Sequence, residues 1–230
     1  MRLFVRKEKT FKKIVNKIYA GNSPYIGFPA RRFTTDMQGW NSQHSFLNSS
    51  IKANKPTIVL EIGVWKGASV IHMAKALQEL NRDGVIIAVD TYLGSWDHWN
   101  NEKWLPELLP VFGYPSMYYT FLANVVTNDL QDYIIPLPLD SSNAAHVLSH
   151  NDIRPELIHL DGSHDYDSVL SDLKRWWPLL TPGGVFICDD YDINGVIWQS
   201  VRNAVDTFLK VTKHSEFEAM SNKCRFRKPL

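Results

Sequence analysis

Three carboxylates follow two neighbouring β-rich runs of the sequence and are the residues best suited to chemistry. Asp161 ends the run ELIHLD (156–161), and Asp189 and Asp190 end the run GGVFICDD (183–190). If both runs are parallel strands, their carboxyl ends meet at one edge of a sheet, where ligands bind in open α/β folds. Like charges this close repel strongly unless a proton or a cation intervenes. Because hard cations such as Mg²⁺ prefer oxygen ligands, the pattern predicts a divalent-metal site formed by Asp161, Asp189 and Asp190. The alternative is that one acid caps a helix while the others are solvated.

His164 stands three residues after Asp161, in the loop that would lie above the predicted metal. Single histidines are usually structural, but an imidazole beside an ionising hydroxyl can take its proton. We therefore expect His164 or Asp161 to act as a general base.

A glycine-containing turn follows the first predicted strand, in the sequence LEIGVWKGAS. The residues of interest, from the strand end to the first turn of the following helix, are Glu61, Gly63, Gly67 and Ser69. Glycines here let the backbone approach a ligand closely. A nicotinamide-binding turn would need the pattern G-x-G-x-x-G, whereas this chain has E-x-G-x-x-x-G. The spacing alone leaves a plain βα turn as the alternative.

Acidic residues also end the second and third predicted strands. Asp90 lies 23 residues after Gly67, and a carboxylate at this place can accept two hydrogen bonds from a ribose diol. Asp140 ends the third strand and is followed by Ser141. This pair could contact an adenine ring, or either residue could cap the helix that begins near Asn143.

Residues 91–131 interrupt the alternation of strands and helices and are too long for one helix. They leave the carboxyl end of the second strand, and loops of this length in compact domains are more often functional than idle. Aromatic faces pack on the C–H faces of sugars or on planar phenols. We predict that five side chains of this insertion line a substrate pocket: Trp96, His98, Trp99, Tyr118 and Tyr119. Core packing is the alternative for the two tyrosines.

The elements that must position these residues alternate between β-rich and helical patterns. The predicted parallel strands are 57–63, 84–90, 133–140, 156–161 and 183–190. Segments with helical periodicity separate them, and such βαβ units indicate a parallel sheet covered on both faces. The runs EFEAM (216–220) and KCRFRK (223–228) predict a closing antiparallel hairpin. The predicted fold is therefore α/β, with a doubly wound, mostly parallel, seven-stranded sheet that ends in an antiparallel hairpin.

The first 55 residues have a different character. Residues 1–20 carry seven Lys or Arg and one Glu, with apolar residues at helical spacing. This pattern predicts a basic amphipathic helix that packs on the domain or on a second copy, with a membrane surface or an acidic partner as alternatives. Residues 21–55 show no sustained period and predict an irregular flap over a site. We divide the chain into this N-terminal region, 1–55, and a main region, 56–230, which together form one domain.

Composition and charge exclude several classes of protein. The chain has 230 residues, of which 44% are hydrophobic and 21% charged, and its formal net charge is +1. These values describe one ordinary globular domain with no global attraction to nucleic acid. Cys188 and Cys224 lack zinc or C-x-x-C spacing and are expected to be reduced. No run approaches the roughly 18 apolar residues of a spanning helix, and the first residues lack the pattern of a signal peptide. We therefore expect a cytoplasmic protein.

Over residues 57–211 the sequence resembles the class I S-adenosylmethionine (SAM)-dependent methyltransferases, in particular the sugar and macrolide-sugar O-methyltransferases. The resemblance is carried by LEIGVWKGAS, AVDTYLGSWDHW, SMYYTFLANV and the run from LIHLDGSHDYDS to ICDDYD. It implies a Rossmann-like fold, a SAM-binding turn, an acid that holds the ribose and polar residues near the adenine. The residues that it assigns to these roles are, in order, Glu61, Gly63 and Gly67 for the turn, Asp90 for the ribose, and Asp140 and Ser141 for the adenine.

The same resemblance implies that Asp161, Asp189 and Asp190 are the ligands of the divalent ion in the metal-dependent branch, which includes catechol-type enzymes. Those enzymes usually place a basic residue three positions after the first metal-binding Asp. Here that position holds His164, so a lysine's role does not carry over to it.

Methyl transfer from a sulfonium is an in-line displacement, in which the protein positions donor and acceptor and supplies the nucleophile in ionised form. We expect a SAM-dependent and Mg²⁺-dependent O-methyltransferase that acts on a hydroxyl of a sugar, glycan or phenolic small molecule. Two alternatives stay open: a metal-independent methyltransferase acting on another acceptor, and a non-catalytic SAM-fold scaffold. A nicotinamide oxidoreductase is disfavoured, because the sequence lacks both G-x-G-x-x-G and a Tyr-x-x-x-Lys pair.

Overall fold

The computed structural model describes residues 9–230. Its strands are β1 Ile58–Ile62, β2 Val85–Val89, β3 Ile134–Leu137, β4 Leu157–Leu160, β5 Val185–Cys188, β6 Ser215–Met220 and β7 Lys223–Arg227. They form one sheet in the order β3-β2-β1-β4-β5-β7-β6. The first five strands pair in parallel, and β7 pairs antiparallel with both β5 and β6. The predicted α/β sheet with a C-terminal hairpin is confirmed. The strand order reverses between β1 and β4, which is where ligands bind in such sheets.

The helices cover both faces of this sheet. They are α1 Thr10–Tyr19, α2 Ser45–Asn54, α3 Ala68–Glu79, α4 Trp96–Trp99, α5 Met117–Thr127, α6 Ser141–His150, α7 Tyr166–Trp176 and α8 Gln199–Val211. Buried side chains of α1, α6, α7 and α8 form one core with the sheet, and those of α2, α3 and α5 form the other. The near-continuous burial of β1 to β5 follows from this double covering. None of the helices in the described range is both long and apolar enough to cross a bilayer.

Helix α1 packs its apolar stripe on the domain itself. Ile14 and Val15 are buried in the core that includes β3. Tyr19 donates a hydrogen bond to the carbonyl of Pro136 (2.6 Å), and Lys17 donates one to the carbonyl of Asn151 (2.6 Å). The domain therefore covers this stripe, as the first alternative predicts, and contact with a second copy stays a prediction. Residues 1–8 of the predicted basic helix lie outside the described range.

Two segments differ from the sequence-based expectation. Residues 45–54, predicted as part of an irregular flap, form α2, which buries Phe46, Leu47 and Ile51. Residues 91–131, predicted as one insertion, end in α5, which serves as the buried crossover helix between β2 and β3. Only the part of this segment before α5 is therefore additional to the βαβ pattern.

Candidate functional site

A cavity of about 1900 Å³ opens at the carboxyl edge of β1, β2, β4 and β5. Residues that follow each of these strands line it, including Gly63, Asp90, Asp161 and Asp190. Pockets for a single small ligand usually measure about 300–1000 Å³. The cavity is therefore large enough to hold two ligands side by side.

The β1–α3 turn forms one wall of the cavity, and its two glycines are required by packing. Gly63 has φ +81°, and a side chain there would overlap the backbone carbonyl of Asp161. Gly67 has φ +90°, and an added Cβ would lie 2.7 Å from the ring of Phe121. Gly63 lines the cavity, whereas Gly67 does not. The predicted close approach at Gly67 is therefore to a neighbouring helix rather than to a ligand.

Asp90 organises this turn from the end of β2. Its Oδ2 accepts hydrogen bonds from the backbone N–H groups of Val64 (2.8 Å) and Trp65 (2.9 Å), and its Oδ1 accepts one from Tyr92 (2.7 Å). Oδ2 thereby uses both of its lone pairs, whereas Oδ1 can accept one further bond. Because Asp90 also lines the cavity, it can hold the turn and still meet a hydroxyl of a ligand.

Glu61 lies beneath the cavity and does not line it. The Ser69 hydroxyl donates a hydrogen bond to Oε1 of Glu61, and Nδ1 of His159 lies 3.4 Å from the same oxygen. Burial raises the pKa of Glu61 from 4.5 to about 8, although Ser69 and Lys223 lower it in part. Glu61 is therefore placed to support Ser69 and the start of α3 rather than to touch a ligand.

Asp140 caps helix α6 and also lies at the cavity wall. Its Oδ1 accepts from the N–H groups of Ser142 and Asn143, both at 3.0 Å. The N–H of Asn143, together with its amide, lowers the pKa of Asp140. Ser141 donates to Oδ1 of Asp172 (2.5 Å) and accepts from Nε1 of Trp176 (2.8 Å). The capping alternative is thus realised at Asp140, and both residues still line the cavity.

The three predicted metal ligands gather at the ends of β4 and β5, but each has different neighbours. The carboxylate of Asp189 forms an ion pair with the fully buried ammonium of Lys223. Oδ2 of Asp190 lies 3.0 Å from Nε2 of His164. Burial and the nearby charge of Asp189 raise the pKa of Asp161 well above its usual range, against the opposite effect of Lys223. These effects favour the protonated form of Asp161.

His164 faces the cavity between two carboxylates. Its Nδ1 lies 3.8 Å from Oδ2 of Asp97, on the opposite side of the ring from Asp190. The ring stacks on Trp198 with centroids 3.9 Å apart. Burial opposes protonation, but the hydrogen bond to Asp190 and the charges of Asp190 and Asp97 outweigh it and raise the pKa of His164.

Of the five side chains predicted to form the aromatic pocket, two line the cavity and three do not. Trp96 is 69% exposed and lines the cavity, as does His98, which stacks on Trp65 at 4.5 Å. Trp99 does not line it, because its Nε1 is directed at the carbonyl of Leu93 (2.9 Å).

The two tyrosines lie on α5, outside the cavity lining. Tyr118 packs against Tyr92 with ring centroids 4.9 Å apart, and Tyr119 stacks on Phe33 at 5.0 Å. The packing alternative therefore describes the contacts of both residues, and neither of them lines the cavity.

Sequence reasoning missed several residues of the site. Trp40 of the predicted flap lines the cavity and makes an edge contact with Trp104 at 5.1 Å. Lys66 is buried and binds Asp36 and Glu107, both at 2.5 Å, so it ties the flap and the insertion to the β1–α3 turn. In the sequence, Lys66 stands between Gly63 and Gly67, and this position in the turn could have marked it as a residue of the site. Lys223 had no signal in the sequence beyond its place in the hairpin.

Comparisons with known proteins show which solved structures have a similar fold and which family this chain belongs to. A comparison with curated protein sequences found no match. Solved structures with a similar fold include an O-methyltransferase from Bacillus cereus in complex with SAH, with 14% identity, a TM-score of 0.57, and coverage of 95% of this chain and 96% of that one. The O-methyltransferase NovP has 19% identity and a TM-score of 0.59 over 83% of this chain and 78% of its own. TomG from Streptomyces achromogenes, an O-methyltransferase in complex with SAM, has 14% identity and a TM-score of 0.58 over 99% of this chain and 92% of its own.

At these identities the solved structures show the fold alone. The sequence profile of the methyltransferase domain family matches residues 60–191, which is more than half of the chain. This chain therefore belongs to the methyltransferase domain family.

Proposed function

We propose that this chain is a SAM-dependent O-methyltransferase that methylates a hydroxyl of a small molecule. The observation that carries the proposal is the place of the His164–Asp190 pair in the same cavity as the β1–α3 turn. Methyl transfer to a hydroxyl needs a base that deprotonates the acceptor and a turn that binds the nucleoside part of the donor. The SAM and SAH complexes of relatives with the same fold support the choice of donor.

The donor end is formed by the β1–α3 turn and the residues after β2 and β3. In this proposal Asp90 receives a ribose hydroxyl, and Asp140 and Ser141, which also line the cavity, contact the adenine. Bound SAM supplies an electrophilic methyl group. The turn fixes the position of the donor, because Asp90 holds the backbone of Val64 and Trp65 in place.

The acceptor end is rich in indole rings. Trp96, Trp198 and Trp40 all line the cavity, and each comes from a different segment of the chain. Indole faces pack on the C–H faces of sugars and on phenol rings. We therefore infer a sugar, glycan or phenolic acceptor. The net charge of +1 disfavours a nucleic acid. The buried free thiols Cys188 and Cys224 support a cytoplasmic location.

His164 is the better of the two candidate bases. Burial and the charge of Asp189 raise the pKa of Asp161 and so disfavour the charged form that could act as a base. In the tautomer that donates Nε2–H to Asp190, Nδ1 of His164 carries the lone pair. Nδ1 takes the proton of the acceptor hydroxyl, the hydroxyl oxygen bonds to the methyl carbon, and the electron pair of the broken carbon–sulfur bond stays on sulfur. Asp190 and Asp97 then stabilise the imidazolium.

The predicted Mg²⁺ ion does not fit the contacts of the carboxylates at β5. Asp189 is paired with the ammonium of Lys223, and its Oδ1 accepts the N–H of Asp190 at 2.8 Å. Asp190 in turn is paired with His164. Both acids would have to give up these partners in order to coordinate an ion.

A second set of possible ligands lies beneath the first. In residues 9–230, one group of three acids and imidazoles has ligand atoms that all lie within 4.8 Å of one another, and it consists of Glu61, His159 and Asp161, the last of which belongs to both sets. However, the ammonium of Lys223 lies 3.3 Å from Nε2 of His159. Two positive charges about 4 Å apart repel by about 4 kcal/mol at an effective dielectric constant of about 20, and a divalent ion doubles this. The proposed reaction therefore has no step through a metal, but unlike the metal-independent alternative it still transfers the methyl group to a hydroxyl.

The proposal is tested by a screen of sugars and phenols with SAM, in which release of SAH is measured. We expect turnover with at least one hydroxylated acceptor, and His164→Gln should lower kcat by a factor of about 10²–10⁴, as is typical for loss of a general base. His150→Gln is the matched control, because His150 is exposed at the end of α6. Equal turnover by both variants would remove His164 from the mechanism. Lack of SAM binding by the wild-type protein would contradict the proposed function itself.

A further inference from the structure

Lys223 is a fully buried cation at the edge of the candidate site. It is the first residue of β7, directly after the hairpin turn, and its relative exposure is 0%. In the antiparallel pairing of β5 and β7, Cys188 lies opposite Cys224. The next position in this register brings Lys223 opposite Asp189, and the two side chains form an ion pair.

The ammonium of Lys223 is enclosed by the site residues. Besides the carboxylate of Asp189, its nearest polar partner is Nε2 of His159 at 3.3 Å. Burial, and next the charge of Lys223, lower the pKa of His159 to about 3, so this ring is neutral and can accept a hydrogen bond from the ammonium. The positive charge also acts on Asp161 and Glu61. One lysine therefore serves a group of carboxylates at the floor of the cavity.

The ion pair continues to the proposed base through the backbone. Oδ1 of Asp189 accepts the N–H of Asp190 at 2.8 Å. Asp190 has φ +55°, a left-handed conformation that is unfavourable for residues other than glycine and is often found at functional sites. Asp190 holds His164 at 3.0 Å. The order of contacts is thus Lys223, Asp189, Asp190, His164.

A buried ion pair is weak evidence for stability, because a well-packed apolar residue often serves the fold as well or better. The position of Lys223 among the acids gives it a different use. We propose that Lys223 is the built-in cation of this site, which takes the electrostatic place of a divalent ion and, through Asp189 and Asp190, positions His164 for metal-free methyl transfer. This inference rests on the proposed function for its catalytic part, but its electrostatic part is testable without an acceptor.

The test is a titration with Mn²⁺ followed by electron paramagnetic resonance, with Mn²⁺ alone as the probe. Wild-type protein is compared with Lys223→Met, which removes the charge and keeps an unbranched side chain that is one atom shorter. Lys210→Met is the matched control, because Lys210 is exposed on α8. We expect no micromolar Mn²⁺ binding by the wild type or by Lys210→Met. Lys223→Met should gain one Mn²⁺ ion, because Glu61, Asp161 and Asp189 then lack the cation that they share. Adding Asp161→Asn should abolish this gain.

Two results would overturn the proposal. One is a wild-type protein that binds one Mn²⁺ ion and loses it with Asp161→Asn or Asp189→Asn. The other is a folded Lys223→Met protein, as judged by circular dichroism, that gains no Mn²⁺. If Lys223→Met does not fold, the wild-type titration decides alone.

Calorimetry of SAM binding in excess EDTA separates this inference from the proposed function. SAM binding that persists in the chelator, together with a Mn²⁺-free wild type, supports both. Failure of SAM to bind in either the presence or the absence of chelator contradicts the proposed function, whereas the Mn²⁺ result still decides the role of Lys223.

Discussion

Nε2 of His164 lies 3.0 Å from Oδ2 of Asp190, and this pair connects the loop after β4 with the end of β5. Burial of the ring opposes its charged form, but Asp190 and Asp97 together outweigh burial and raise the pKa of His164. Asp97 comes from the insertion after β2. The electrostatic environment of His164 is therefore assembled from three segments that are distant in sequence.

Removal of the Asp190 charge should lower the pKa of His164. In Asp190→Asn the hydrogen bond loses its ionic character, and burial then dominates. NMR titration of the imidazole carbons measures the pKa directly. A base must be neutral, so turnover of the wild type rises with pH through the raised pKa, and the variant should reach its maximum at lower pH. Asp132→Asn, at an exposed position remote from the site, is the control. An unchanged His164 pKa in Asp190→Asn would contradict this account of the pair.

Gly63→Ala should destabilise the fold more than Gly27→Ala. Both glycines have positive φ, at +81° and +72°, but a side chain at Gly63 meets the backbone of Asp161 whereas the space at Gly27 is open. The left-handed conformation alone costs about 1–2 kcal/mol, and Gly27→Ala should show only this cost. Thermal unfolding measures both. Equal losses of stability in the two variants would mean that the backbone of Asp161 does not restrict the side chain at position 63.

Asp90→Asn should weaken SAM binding at least tenfold, which corresponds to about 1.4 kcal/mol. The amide can replace only one of the two oxygens that hold Val64, Trp65 and Tyr92, so an N–H donor is left facing another donor. Asp132→Asn is the control, because Asp132 is exposed and does not line the cavity. Calorimetry compares the two. Equal affinities would show that Asp90 does not organise the donor end.

Glu61→Gln should flatten the dependence of stability on pH. Burial raises the pKa of Glu61 from 4.5 to about 8. Between these pH values the folded state keeps a proton that the unfolded state releases, so stability falls as pH rises, by up to about 1.4 kcal/mol per pH unit. Glutamine can still accept the hydrogen bond from Ser69 and does not titrate. Denaturant unfolding at pH 6, 7 and 8 measures the slope, and identical slopes in both proteins would contradict the assignment.

The strands and their functional ends could be predicted from the sequence because buried parallel strands leave a strong local pattern. Each apolar run ends at a polar residue, and Asp90, Asp161 and Asp189 follow their strands as expected. Helix α2 was missed because SFLNSSIKAN is rich in serine and asparagine, which are weak helix formers. Tertiary packing of Phe46 and Ile51 overrides that local preference.

The side-chain partners could not be predicted in the same way. The pairing of Lys223 with Asp189 depends on the register of β5 and β7, which the sequence does not encode locally. Lysine is also rarely buried, so nothing marked Lys223 as interior. The prediction that Tyr118 and Tyr119 line a substrate pocket depends on residues 91–131 forming one insertion. Once α5 is recognised as the crossover helix, their packing roles follow.

The most direct test of the central claim is to follow a trideuteromethyl group from labelled SAM in the presence of excess EDTA. Mass spectrometry and NMR of the product show which atom of the acceptor receives the group. We predict transfer to a hydroxyl oxygen, at a rate that is unchanged by the chelator and that rises with pH through the pKa of His164. Transfer to nitrogen or carbon, or loss of all transfer on addition of EDTA, would contradict metal-free O-methylation in this cavity.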